Sequence, residues 1–97
     1  MIIAELSVVP IGTETPGVSK YVAAAVKELK ELGLEPELTA MSTIFEAEEI
    51  SLVLKAFEAV HESVFEQGAE RAVTTLKIDE RRDKAGTIRQ KIRVVYD

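Results

Sequence analysis

A chain of 97 residues allows one domain, since domains commonly run to about 100–150 residues and nothing is left over for a second core. Hydrophobic residues make up 46% and charged residues 30%, with no cysteine; this excludes a disordered chain, a disulfide framework, a thiolate zinc site and a cysteine nucleophile. A net charge of −5 argues against a general nucleic-acid binder. No apolar run approaches the roughly 18 residues of a membrane span. Glu5 lies inside the first apolar stretch with no base ahead of it, so no signal peptide is expected and the reducing cytoplasm is the default setting.

Charge is uneven along the chain. Residues 1–45 sum to −3, residues 46–70 to −6 with Lys55 as their one base, and residues 71–97 to +4. The basic tail, from Arg71 to Arg93, could form a local anion site or pair with the acidic helix of its own or a neighbouring chain. Pairing is the better expectation, because most charge clusters are solvated faces.

Residues 2–9 alternate, with Ile2, Ala4, Leu6 and Val8 on one side and Ile3, Glu5, Ser7 and Val9 on the other, which predicts a strand ended by Pro10. Ile11 to Gly17 reads as a loop. A helix follows, capped by Thr15 or Ser19, with Val18, Tyr21, Val22, Ala25, Val26, Leu29 and Leu32 as its apolar stripe and Gly33 as its stop. Residues 34–46 alternate again and suit two short strands joined near Met41–Thr43. A second helix is predicted from Ala47 to Gln67, striped by Ile50, Val53, Leu54, Phe57, Val60, His61, Val64 and Phe65, with Glu48 and Glu49 in its first turn and Gly68 after its end. Residues 71–80 alternate as a strand, and Asp79 to Gly86 is a charged turn. Thr87 to Asp97 fits either a strand or a Thr87-capped helix, and charge density with the cap favours the helix.

The order is that of an α+β, ferredoxin-like βαββαβ antiparallel sheet with both helices on one face, plus a short C-terminal helix, spanning residues 1–97. Such a sheet leaves one face open. The residues expected there, Ile3, Val9, Met41, Phe45 and Val73, are too apolar for bare solvent, so a homo-oligomer is expected.

Few residues suggest chemistry. The one histidine, His61, lies on the apolar stripe, and a buried histidine bonded to a carboxylate or the backbone is the better reading than a base or ligand. Neither a metal site nor a cofactor is expected, and Gly12 and Gly17 match no phosphate-binding fingerprint. Thr43-Ile-Phe-Glu46 admits two readings. As structure it is a capping box at a strand-to-helix junction, which the pattern alone favours because caps are common and sites few. As a site, its hydroxyl and carboxylate, walled by Met41 and Phe45, suit a flat cationic heterocycle. No carboxylate pair is placed by spacing opposite a nucleophile, and His61 lies about four turns along the second helix from Glu46, so catalysis is not expected.

Val9-Pro-Ile-Gly12, Val18-Ser-x-Tyr-Val22, Gly33, Met41-Ser-Thr43-x-x-Glu46, His61, Gly68-Ala-x-Arg71 and Asp79-x-Arg81-Arg82 occur together and in order. Over nearly its whole length the chain resembles the small thiamine-binding (YkoF-like) family. The resemblance implies a ferredoxin-like fold, dimers or tetramers built through the sheets, a C-terminal helix, and non-catalytic binding of thiamine or its hydroxymethylpyrimidine. It implies a polar pocket at Thr43 and Glu46, with Ser7 and Ser19 as neighbours. The alternative is a structural or regulatory interaction module that assembles through its open sheet face and holds no small molecule.

Overall fold

In the computed structural model, which describes residues 1–13, 17–84 and 86–96, four antiparallel strands and two helices form the ferredoxin-like core, and a third helix follows. The elements are β1 (Ile2–Ile11), α1 (Ser19–Glu31), β2 (Glu37–Leu38), β3 (Thr43–Ala47), α2 (Ile50–Glu66), β4 (Arg71–Glu80) and α3 (Ile88–Tyr96), with the sheet in the order β2-β3-β1-β4. No helix is long and apolar enough to cross a membrane among the described residues.

β1 is the inner strand around which the rest is arranged. It pairs with β3 from Ile2↔Ala47 to Leu6↔Thr43, and with β4 from Ile2↔Glu80 to Ile11↔Arg71. Paired residues in an antiparallel ladder share a face. Ile2, Ala4 and Leu6 are buried beneath the helices, together with Phe45 and Ala47 from β3, and Ala25 and Leu29 of α1 and Val53, Ala56 and Val60 of α2 close the core over them. A second small cluster joins Tyr21, Val64 and Ala69.

Three expectations about β1 and its neighbours are corrected. The strand does not stop at Pro10 but continues to Ile11; beyond Leu6 only β4 flanks it, so a residue without an N–H sits where one side has no ladder to interrupt. Phe45 is not on the open face. Its partner Ala4 faces the helices, so Phe45 does too, and it is fully buried. Met41 lies in the connection between β2 and β3, where the turn was expected, and so not on the open face: it is 87% exposed, and the Thr39 hydroxyl accepts from the N–H groups of Met41 (3.2 Å) and Ser42 (3.0 Å). Ile3, Val9 and Val73 do belong to the open face by register, and Val9 is 52% exposed there.

The helix ends follow the sequence more closely than the starts. After α1, Gly33 adopts φ +80° while its N–H reaches Lys30 O (3.0 Å) and that of Leu34 reaches Leu29 O (3.1 Å). After α2, Gly68 (φ +103°) and Ala69 repeat the pattern onto Phe65 and Val64. Both are Schellman turns, in which glycine takes the left-handed position without a Cβ clash and the next apolar residue returns to the core. At the starts, Val18 rather than Ser19 occupies the cap of α1, with no side-chain bond, and Thr15 and Pro16 lie outside the described residues. α2 begins at Ile50, not Ala47, because Ala47 is still paired with Ile2; Glu48 and Glu49 therefore precede its first turn.

Phe45 and Gly33 give direct tests of this architecture. Phe45→Ala should cost about 3–5 kcal/mol in chemical denaturation, the range for emptying a packed aromatic site. Gly33→Ala should cost about 1 kcal/mol, because alanine is strained at positive φ. A surface-like cost below about 0.5 kcal/mol for Phe45→Ala would contradict its placement.

Candidate functional site: an acid groove at Glu46

Thr43 and Glu46 stand three positions apart on β3, and an odd separation on a strand sends two side chains to opposite faces. Thr43 is buried on the helix side, whereas Glu46, paired with Ile3, belongs to the open face. The expected capping box across these two residues is therefore absent. A capping box does form elsewhere, at the start of α3: Gln90 N–H donates to Thr87 Oγ1 (3.1 Å) and Thr87 N–H to Gln90 Oε1 (3.2 Å). Glu46 completes that terminus from across the chain. Its Oε1 accepts the N–H of Ile88 at 2.7 Å, placing a carboxylate at the positive end of the helix.

A groove of about 630 Å³ opens beside this contact. It lies where three connections meet: the Gly33–Glu37 link leaving α1, the end of β3 at Glu46–Glu48, and the first residues of α3. Glu35, Glu37, Glu46 and Glu48 are its acidic lining residues, and Arg89 is the one basic side chain among them. Pro36 and Ile88 supply apolar surface, with the buried Leu34 behind them. The C-terminal end of α1, at Gly33, adds the negative pole of a helix. Such a cavity suits a ring-sized cation.

Of the six residues that the sequence singles out, Glu46 alone lines this groove. Ser7 shares its sheet face but pairs with Thr75, four residues along β1 from Ile3, or about 13 Å away. Ser19 is exposed at the start of α1, Met41 sits in the β2–β3 connection, and Thr43 and Phe45 are buried on the far side of the sheet. Phe45 and Met41 thus form no walls around Glu46. Glu35, Glu37, Glu48 and Arg89 were not legible as site residues, since they come from segments with no motif between them. The box at Thr87-x-x-Gln90 could have been read from its spacing.

Three ion pairs hold bases of the C-terminal region. Arg81 forks onto Asp83 through Nε (2.7 Å) and Nη2 (3.1 Å), and Arg82 Nε donates to Glu80 at 2.6 Å; these hydrogen bonds hold both carboxyls below their usual range. Lys91 pairs with Asp79. Arg81 and Arg82 thus pair next to themselves in the chain, and Lys91 of α3 pairs with Asp79 of β4, rather than with the acidic helix. His61 lies half-buried on α2, with Phe57 stacked on it and Phe65 edge-on, and its Nδ1 meets the Thr74 hydroxyl at 2.7 Å. Its partner is therefore a threonine, not a carboxylate or the backbone, and the sheet separates it from Glu46.

Comparison with known proteins places the chain. The family model described as "thiamine-binding protein" matches residues 4–96. A UPF0045 protein of Methanothermobacter thermautotrophicus is 46% identical over 97 residues, covering 100% of this chain and 98% of the relative. The UPF0045 protein YqgV of Bacillus subtilis is 42% identical over 99 residues, covering 98% and 94%. Among solved structures, a hypothetical protein of Methanocaldococcus jannaschii superposes with a TM-score of 0.88 at 39% identity, covering 98% of this chain and 95% of that one. A Thermotoga maritima protein provisionally assigned to thiamine biosynthesis or salvage superposes at 0.79 with 22% identity, covering 97% of each chain, and shows the same fold. On the match over residues 4–96 and these identities, the chain belongs to the thiamine-binding protein family, among relatives of the UPF0045 group.

Proposed function

We propose that this protein binds thiamine, or its hydroxymethylpyrimidine part, reversibly and without chemistry, in the acid groove at Glu46, as a cytoplasmic homo-oligomer of two or four chains. The observation that carries the reading is the groove itself, lined by four glutamates and one arginine beside apolar residues, in a member of this family. Thiamine carries a fixed positive charge on its thiazolium ring and a polar edge on its aminopyrimidine. Glu46 supplies the central carboxylate, with Glu35, Glu37 and Glu48 deepening the negative potential, while Pro36 and Ile88 take the ring faces. At about 630 Å³ the groove falls in the range of about 300–1,000 Å³ usual for small-molecule sites. The provisional thiamine assignment of the Thermotoga maritima protein supports the same ligand class.

Titration calorimetry with thiamine tests this. Wild type should bind, and more weakly as salt rises, because the groove is open to water. Glu46→Gln keeps an oxygen to accept from Ile88 while removing the charge, and should weaken binding about tenfold, equivalent to about 1.4 kcal/mol. No heat from wild type at millimolar thiamine overturns the ligand class, and an unchanged affinity in Glu46→Gln removes the ligand from this groove.

A further inference from the structure

A phosphate group and a carboxylate seek the same thing at a helix N-terminus: backbone N–H groups without an intrahelical acceptor, at the positive end of the helix dipole. α3 presents such an end to the groove, since Thr87, Ile88 and Arg89 line it. Three N–H groups there are already taken by side chains of the chain itself. Thr87 N–H donates to Gln90 Oε1, Ile88 N–H to Glu46 Oε1 and Gln90 N–H to Thr87 Oγ1. The half-buried Glu46 carboxylate thus stands where the phosphate of a ligand would otherwise be held.

The surroundings act in the same direction. Glu35, Glu37 and Glu48 are exposed acids that line the same groove, and Arg89 is the one basic side chain among the described residues around it. Gly33 brings the C-terminal, negative end of α1. Charges this close act on one another within the screening length of about 8–10 Å at ordinary salt. A phosphate monoester carries about −1.5 to −2 charge at neutral pH and calls for several donors. Thiamine and hydroxymethylpyrimidine each end in an alcohol that can carry such an ester, while the ring that would sit against Pro36 and Ile88 is the same in both forms.

We propose that the groove selects the unphosphorylated ligand: it accepts the free alcohol and rejects the phosphate ester, and Glu46, held at the N-terminus of α3, is the residue that sets this preference. The proposal rests on the binding reading given above. It places the protein beside one class of reaction, since the compound it holds is the one that an alcohol-phosphorylating enzyme consumes and that hydrolysis of a phosphate ester releases.

Titration calorimetry with thiamine and with thiamine monophosphate, on wild type, Glu46→Gln and Glu48→Gln at low and high salt, tests this, with circular dichroism to establish that the variants fold. Wild type should bind the monophosphate at least about tenfold more weakly than thiamine, and the gap should narrow as salt rises. In Glu46→Gln thiamine should bind more weakly and the ester more tightly, so the ratio of the two affinities falls about tenfold or more. A variant with a merely damaged groove would lose both ligands together and keep the ratio. Glu48→Gln, at an exposed position, should lower the ratio by about two- to threefold. Equal or tighter binding of the monophosphate by wild type overturns the preference and leaves thiamine binding standing. A wild-type ratio kept by Glu46→Gln removes Glu46 from the role. No heat from wild type with either ligand overturns the binding reading and the preference with it.

Discussion

The ladder that β1 makes on both of its flanks is the constraint on which the rest of the molecule depends. Side chains alternate along a strand, so one register assigns faces to three strands at once. With Ala4 opposite Phe45 and Ile78, the even positions of β1 gather the core, and with Ile3 opposite Glu46 and Asp79, the odd positions gather charge. A slip of one residue between β1 and β3 would carry Phe45 into water and Glu46 into the core, where an unpaired carboxylate costs several kcal/mol. The penalty acts on both residues together. The position of Glu46 is therefore secured by the burial of its neighbour.

From that position Glu46 joins two segments 42 residues apart, lending its carboxylate to the first turn of α3. The groove beside it is made of ends rather than of middles: the end of one helix, the end of one strand and the start of another helix. Ends concentrate unsatisfied backbone dipoles and tolerate polar side chains. That is why four glutamates can share a small volume here without burying a charge in the core.

The framework was open to a reader of the sequence because it rests on periodicity. Period-two alternation marked β1 and β4, the 3.6-residue stripes marked α1 and α2, and glycines 33 and 68 marked the helix ends. The faces of β3 were harder to read: alternation says that Ile44 and Phe45 differ, and only the partner strand says which is inside. The start of α2 was misjudged for a related reason, since pairing with Ile2 holds Ala47 in the sheet against a good helical pattern. The groove was legible at one residue. Glu46 was singled out with Thr43, as a cap or as a shared polar pocket, and strand geometry forbids both pairings, while its companions Glu35, Glu37, Glu48 and Arg89 meet only through tertiary structure.

The two glycine turns have a consequence for how this fold tolerates change in length. In each, the residue after the glycine both closes a hydrogen bond five residues back and drops its side chain into the core, as Leu34 and Ala69 do. One inserted residue would break the bond or send the apolar side chain outward. These joints therefore behave as fixed-length couplings between helix and following strand, whereas the Thr39–Ser42 connection, exposed and closed by its own hydroxyl, has no anchor in the core. Relatives of different length should carry their extra residues in connections of the second kind.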